Sequence, residues 1–246
     1  MKTFEQLLEE IHKKLAWESI PADETIAEIA RICGPAEIDL LIQELEDLDD
    51  ADIADQNCDV WDDYCRHRRT LSRILGQIGE PAVDPLLRVL QSTNPQTRHY
   101  AAAALGVIGA IRAFEPIVRA AALETDNFNR VSVLSALGGL GDQRAIAVLL
   151  PYLQVREQRN RGWIIRLAAK ALGGIGNEQV VQSLAEILGN DPDWFARLGA
   201  VEGLEQSCHQ QSTEALTLAL NDVDYRVRDA AREGLRKLAY LSASQL

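Results

Sequence analysis

The chain has 246 residues, of which 47% are hydrophobic, 25% charged and only 5% aromatic, so it predicts one or two folded domains with an aliphatic core. The 37 Asp and Glu outnumber the 25 Lys and Arg, and the net charge of −12 disfavours binding to nucleic acid or to an anionic membrane surface. No apolar run approaches the ~20 residues of a membrane helix, and the first ten residues are too acidic for a signal peptide. We therefore expect a soluble cytoplasmic protein without membrane insertion.

Three amphipathic segments begin the chain, at residues 3–15, 23–33 and 35–48. Their apolar residues recur at helical spacing, so each segment predicts a helix. We interpret residues 1–48 as an N-terminal helical cap or a divergent repeat.

Acidic residues dominate the next stretch, because residues 44–63 contain ten Asp and Glu and no Lys or Arg. The middle of this stretch has no apolar stripe, so residues 49–61 are predicted to form an exposed acidic insertion, a kind of segment that is often functional or disordered. Two aromatic residues follow among carboxylates, in the run Trp61, Asp62 and Tyr64. They either pack the insertion onto the following helices or contact a partner, since aromatic side chains concentrate binding energy at interfaces.

A twelve-residue pattern then recurs six times, with copies that end at residues 79, 109, 141, 176, 208 and 239. Small and apolar residues at helical spacing, followed by Gly in the first four copies, predict a helix that ends in a left-handed cap. A second amphipathic segment lies between copies, so the repeating unit is a pair of antiparallel helices. Since stacked pairs bury a continuous core, residues 62–246 are predicted to form one continuous all-α domain, an α-solenoid of about six repeats.

The R-x-x-A-A-x-A-L-G-x-I-G copies resemble the HEAT-like repeats of the phycobilin lyase family, over about residues 62–241. The resemblance implies a right-handed superhelix and a protein-binding scaffold of the cyanobacterial phycobilisome. Such a scaffold acts on phycobiliproteins or bilins as a lyase-type subunit, a chaperone or a degradation factor.

The same resemblance implies partners. It implies a phycobiliprotein subunit as client, a related HEAT-like subunit as partner, and no cofactor apart from a transiently bound bilin. An alternative is a non-catalytic adaptor that binds an A-type iron–sulfur scaffold protein or another protein client. Whether the protein is an enzyme stays open: if it is, it is a bilin lyase-type subunit, and no catalytic residue is assigned.

An Arg opens five of the six copies, and in four of these an Asn or Asp stands four residues earlier. The arginines are Arg68, Arg98, Arg130, Arg197 and Arg228, and the upstream residues are Asn94, Asp126, Asp193 and Asp224. We interpret them as a structural hydrogen-bond ladder between repeats, because catalysis needs one constellation rather than several equivalent ones. Trp163, Trp194 and Phe195 are predicted to be buried between repeats, and residues 156–161 to form an exposed basic contact.

The helix positions six, five and two residues before the repeat Leu are predicted to be exposed, on the face that binds partners in solenoids. In three copies they form a cationic and partly aromatic set: Arg69, Arg73, His99, Tyr100, Arg166 and Lys170. Such a surface could bind a bilin propionate or an acidic segment of a partner, while a carboxylate near Trp61 pairs with a protonated pyrrole. The alternative is an ordinary solvated charged face.

The four cysteines, Cys33, Cys58, Cys65 and Cys208, form no C-x-x-C pair, which favours reduced thiols. Cys58 and Cys65 lie near His67, but their spacing is not that of a common zinc site, so they are weak metal candidates. None of the four His residues is followed by Glu, which excludes the His-Glu iron centre of the deoxyhypusine hydroxylases, another class of HEAT-repeat protein. We therefore predict no metal.

Overall fold

The computed structural model describes residues 3–16, 23–47, 58–156, 160–207 and 209–243. All regular structure within these ranges is helical, and the helices follow one another in pairs, so the prediction of an all-α solenoid of repeats is confirmed. None of the helices described here is long and apolar enough to cross a lipid bilayer. The chain forms two compact units, Met1–Ala120 and Ala121–Leu246.

The first unit begins with three helices whose bounds agree with the prediction to within one residue. Its helices are α1 (Phe4–Ala16), α2 (Asp23–Ile32), α3 (Pro35–Asp47), α4 (Cys58–Ile78), α5 (Val83–Val89), α6 (Pro95–Ile108) and α7 (Phe114–Ala122), the last ending two residues past the unit boundary. Short 3-10 turns, Glu80–Ala82 and Ile111–Ala113, precede α5 and α7.

The apolar faces of α1, α2 and α3 are buried, and all three helices pack against α4. Leu7, Ile11, Ile26, Ile29, Leu41 and Leu45 are each at most 1% exposed. Burial of each such side chain contributes about 1.5–3 kcal/mol, so the N-terminal helices are part of the core of this unit. His12 and Glu44 directly adjoin Ile11 and Leu45, which places them at the edge of this core.

Helix α4 begins at Cys58, well before the repeat pattern starts. Residues 58–61, which we expected in the acidic insertion, are therefore helical. Residues 49–57 lie outside the described part of the chain, and the division into cap, insertion and repeat domain stays a prediction.

Backbone geometry confirms three of the four predicted left-handed caps. Gly109, Gly141 and Gly176 follow the second helices of their repeats with φ angles of 72°, 66° and 56°, in the left-handed helical region. Gly79 also has a positive φ of 80°, but its ψ of −141° lies outside that region, so the cap predicted there was wrong. At the start of α6, the side chain of Asn94 accepts hydrogen bonds from the backbone amides of residues 96 and 97, at 2.8 and 3.3 Å.

The second unit continues the pairs to the end of the described chain. Its helices are α8 (Asn127–Leu134), α9 (Leu137–Leu140), α10 (Arg144–Leu153), α11 (Arg161–Ile175), α12 (Glu178–Asn190), α13 (Trp194–Ser207), α14 (Gln210–Ala219) and α15 (Tyr225–Ala243). The sequence predicted a single helix here, but the structure divides it into α8 and α9. Ser132 and Ser135 donate hydrogen bonds to carbonyls four and three residues upstream, at 2.8 and 2.7 Å, a pattern that bends helices.

Helices α11 and α13 approach each other closely because glycines face each other between them. A Cβ atom on Gly173 would lie 2.3 Å from the carbonyl oxygen of Gly203, and one on Gly203 would lie 2.4 Å from that of Ala169. Neither distance is sterically allowed, so both positions require glycine at this spacing.

The repeat arginines hold the loop between the two helices of a pair. In four of the five predicted arginines, Arg98, Arg130, Arg197 and Arg228, the guanidinium donates to the backbone carbonyl six residues upstream, at 2.6–2.8 Å. Arg161, which that prediction did not include, makes the same contact at 2.8 Å. The prediction that the residue four positions upstream is the partner was wrong, since Asn94 and Asp126 cap their own helices instead. The main contact is therefore within a repeat.

Side-chain hydrogen bonds between repeats do occur in the second unit. The acceptors are aspartates that stand six residues before the arginine of the next repeat. Arg161 donates to both carboxylate oxygens of Asp191 at 2.9 and 2.5 Å, and Arg197 donates to both of Asp222 at 2.7 and 2.8 Å. The carbonyls of the same aspartates accept from Arg197 and Arg228. We call these five residues the arginine–aspartate ladder. The expectation that Arg161 lies in an exposed contact was wrong, because it begins this ladder.

Candidate binding surface

A group of aromatic rings lies on the surface of the second unit, where α11 and α13 begin. The rings of Trp163 and Phe195 pack edge to face with centroids 4.5 Å apart, and the Trp194 ring lies 5.1 Å from Phe195. Trp163 is 50% exposed, so the expectation that it is buried between repeats was wrong. Trp194 and Phe195 are half-buried.

Two arginines stack on these rings. The guanidinium carbon of Arg166 lies 4.7 Å from the Phe195 centroid and 5.6 Å from that of Trp163, and that of Arg226 lies 3.2 Å from the Trp194 centroid. Such cation–π contacts contribute about 0.5–1 kcal/mol each at exposed sites. We call Trp163, Arg166, Trp194, Phe195 and Arg226 the aromatic–arginine cluster.

Each arginine of the cluster is also paired with a carboxylate. Arg166 donates two hydrogen bonds to Glu202, at 2.8 and 2.5 Å, and Lys170 lies 3.8 Å from the same carboxylate. Arg226 donates to Asp224 at 2.7 Å, and this hydrogen bond lowers the pKa of Asp224 to about 2. The cluster therefore presents aromatic area and fixed hydrogen-bond donors with little net charge.

A glycine on α13 permits this arrangement. A Cβ atom on Gly199 would lie 2.5 Å from the Cα atom of Arg166, so only glycine lets α11 lie this close. The close approach brings Arg166 over Phe195 and within reach of Glu202, one turn further along α13.

The six residues predicted as a cationic surface differ in their surroundings. Arg166 and Lys170 belong to the second unit and share the carboxylate of Glu202. In the first unit, Arg73 pairs with Asp23 of α2, and Arg69 is exposed with no ion pair recorded among the described residues.

His99 and Tyr100 are in ring contact, with centroids 4.8 Å apart, and differ in exposure. His99 is half-exposed, but Tyr100 is 7% exposed. The expectation that Tyr100 is exposed was wrong, because the position five residues before the repeat Leu points into the core, as it does at Thr70 and Ser132.

The remaining predicted residues lie at the start of α4. The side chains of Trp61, Asp62, Tyr64, Cys58 and Cys65 fall outside what the structure describes, so their roles stay predictions.

His67, the third weak metal candidate, has partners that the sequence did not suggest. Its Nε2 atom lies 2.7 Å from Oε1 of Glu44 on α3, and Nε2 of His12 on α1 lies 2.6 Å from the same oxygen. The hydrogen bond that His12 donates to Glu44 raises the pKa of His12, against the effect of burial. Burial alone would raise the pKa of Glu44, but the hydrogen bonds from both imidazoles lower it to about 2.

One local signal could have revealed part of the aromatic–arginine cluster. Trp163 and Arg166 are three residues apart, which places them on one helix face. The carboxylate that pairs with Arg166 has no such signal, since Glu202 lies 36 residues away along the chain.

The repeats match a known family along most of the chain. The model for HEAT repeats matches residues 60–131, 83–166 and 161–236. The chain belongs to the HEAT-repeat family. No curated protein matches its sequence.

Three solved structures are similar to this HEAT-repeat chain. The complex of CpcE and CpcF of phycocyanin lyase from Nostoc sp. PCC7120 is 20% identical, with coverage of 100% of this chain and 96% of that chain and a TM-score of 0.56. Human deoxyhypusine hydroxylase is 19% identical, with coverage of 96% and 97% and a TM-score of 0.40. A designed armadillo repeat protein is 17% identical, with coverage of 82% and 99% and a TM-score of 0.44. The likeness in fold to the phycocyanin lyase complex agrees with the resemblance read from the repeats.

Proposed function

We propose that this chain is a HEAT-repeat scaffold that binds a phycobiliprotein subunit through the aromatic–arginine cluster of its second unit. The half-exposed ring of Trp163, held in place by Phe195 and Arg166, is the observation that supports binding. Trp and Arg are the residues that most often dominate the energy of protein interfaces. A client is proposed, rather than a small substrate, because the cluster is an open surface of rings instead of an enclosed cavity.

The choice of client is supported by the likeness in fold to the phycocyanin lyase complex, which spans the whole chain. In the proposed role, the scaffold orients its client so that a bilin can be attached, removed or protected. If the protein acts as a lyase-type subunit, the client supplies the thiol that binds the bilin. A transient bilin would then find its best cation at Arg69, which is exposed, rather than at Arg166, whose charge Glu202 already offsets.

The test is direct binding of isolated phycobiliprotein subunits to the native chain and to a Trp163→Ala variant. Truncation of an aromatic residue at the centre of an interface costs about 2 kcal/mol or more, so affinity should fall about 30-fold. Tyr240→Ala is the matched control, because Tyr240 is 74% exposed and lies near the end of α15, away from the cluster. Its affinity should stay within about twofold of the native value.

Three results would contradict the proposal. The first is that the native chain does not bind any phycobiliprotein subunit. The second is that the Trp163→Ala variant binds as tightly as the native chain, and the third is that Trp163→Ala and Tyr240→Ala lose affinity equally. An A-type iron–sulfur scaffold protein serves as the second analyte. If it binds while phycobiliproteins do not, the adaptor role that the sequence left open replaces the phycobiliprotein role.

A further inference from the structure

Three side chains with metal-ligating atoms converge in the first unit, from three different helices. Nε2 of His12 on α1 and Nε2 of His67 on α4 lie 2.6 and 2.7 Å from the same oxygen of Glu44 on α3. All three atoms lie within 4.8 Å of one another, and the two imidazole centroids are 5.1 Å apart. Glu44 is 32 residues from one histidine and 23 from the other, so the fold and not local sequence brings them together.

We propose that His12, Glu44 and His67 form a binding site for a divalent transition-metal ion such as Zn²⁺. Two imidazole nitrogens and one carboxylate oxygen are a donor set that zinc uses in proteins, with the fourth position left to water. The site is distinct from the aromatic–arginine cluster and does not depend on the proposed function.

The geometry can admit an ion with small movements. Neighbouring ligand atoms of a tetrahedral zinc site are about 3.4 Å apart, given bonds of about 2.1 Å. The observed nitrogen–oxygen contacts of 2.6 and 2.7 Å are shorter than this by about 0.7–0.8 Å, because hydrogen bonds to the carboxylate take the place of metal bonds. The side chains of His12, Glu44 and His67 are 42%, 23% and 22% exposed, so they can rotate apart and water can reach the fourth position.

The chemistry of the donors selects the ion. Imidazole favours zinc, copper, nickel and iron over calcium and magnesium, which prefer oxygen ligands. A metal bound here would connect α1 and α3 to α4, and so fasten the N-terminal helices to the first repeat helix. Because the ligands come together only in the folded chain, binding should stabilise the fold.

The first experiment is a zinc titration of the full chain in competition with a chromophoric chelator. The native chain should bind one Zn²⁺, and Glu44→Gln or His67→Ala should weaken binding at least about tenfold. His209→Ala is the control, because His209 caps α14 in the second unit and should leave binding unchanged. Magnesium should not compete. An unchanged zinc affinity in both Glu44→Gln and His67→Ala would overturn the proposal, as would the absence of zinc binding in the native chain.

Two further measurements test whether the cysteines bind the zinc instead, and whether a variant loses binding only because it misfolds. A Cys58→Ser, Cys65→Ser variant should bind zinc as the native chain does, and bound Co²⁺ should show no thiolate charge-transfer band. Loss of binding in that variant, or a thiolate band, would place the metal on the cysteines and refute the site. Zinc at a hundredfold excess over its Kd should raise the Tm of the native chain by about 5 °C and that of Glu44→Gln by much less. An equal rise in both would also refute the site.

Discussion

The arginine–aspartate ladder gives a test of how the repeats of the second unit are held together. Asp222 accepts two hydrogen bonds from Arg197 of the preceding repeat, at 2.7 and 2.8 Å, and one from the backbone amide of Asp224, at 2.8 Å. The side chains of Arg197 and Asp222 are only 8% and 7% exposed. An Asp222→Ala substitution therefore leaves a buried guanidinium without its counter-charge.

The expected cost follows from these contacts. Removal of one partner from a buried ion pair costs about 3–5 kcal/mol, since the remaining charge stays desolvated. Arg197 keeps its hydrogen bond to the carbonyl of Asp191 at 2.8 Å, so the lower end of this range applies. We expect a loss of about 3 kcal/mol, which lowers the urea midpoint by about 1 M for a chain of this size.

Urea unfolding followed by far-ultraviolet circular dichroism measures the change. Asp224→Ala is the matched control two residues away, since Asp224 was the ladder residue that the sequence suggested. Its carboxylate contacts Arg226 and the start of α15 but not Arg197, so the loss should be clearly smaller. Arg197→Ala and the double variant complete a cycle with an expected coupling of about 2 kcal/mol. The reasoning fails if the coupling is below about 0.5 kcal/mol or if Asp224→Ala is the more damaging variant.

Acid should weaken the contact between Arg197 and Asp222. The hydrogen bond from Arg197 lowers the pKa of Asp222 in the folded chain below its unfolded value of about 4. The ion pair therefore stabilises the fold fully above about pH 4, and this stabilisation is lost as the pH falls through the lowered pKa of the folded state. Stability should therefore drop more steeply below pH 4 in the native chain than in Asp222→Asn, and parallel curves would contradict this. Gly199→Ala should destabilise by about 1–2 kcal/mol in urea melts, because overpacking against Arg166 outweighs the gain in helix propensity. Gly189→Ala on α12 has open space and should be neutral or stabilising. Client binding should change less than about threefold from about 50 to about 500 mM salt, because Glu202 offsets the charge of Arg166. A steep salt dependence would instead favour the cationic surface expected from sequence.

Local patterns were enough to predict the helices and most of their caps. Gly109 follows a helical run and has a positive φ, and Pro95 stands at the first position of a helix behind an Asn that caps it. Each of these features depends on the chemistry of neighbouring residues. The exception is the break between α8 and α9, where Ser132 and Ser135 bond to the backbone of their own helix.

The contacts of the repeat arginines and the contacts between helices distant in sequence could not be predicted in the same way. An aspartate four residues before Arg197 and one six residues before it are equally visible in the sequence, and only the turn geometry decides which carbonyl the guanidinium reaches. The pairing of Arg166 with Glu202 depends on the close approach at Gly199, which places two helices nearer than an average repeat would. The grouping of His12, Glu44 and His67 depends on how α1 and α3 pack on α4.

The ladder and the aromatic–arginine cluster occupy the same helix turns. Trp163 lies two residues after Arg161, and Phe195 lies two residues before Arg197. Arg226 likewise precedes Arg228 by two residues. The hydrogen bonds that fix these arginines therefore also fix the first turns of α11, α13 and α15, which carry the rings and the stacked guanidinium. An interface residue contributes most when it is already held in its bound position, because little entropy is then lost on binding. Loss of the ladder at Asp222 should for this reason weaken client binding through the contact of Arg226 with Trp194, even though Asp222 itself is buried.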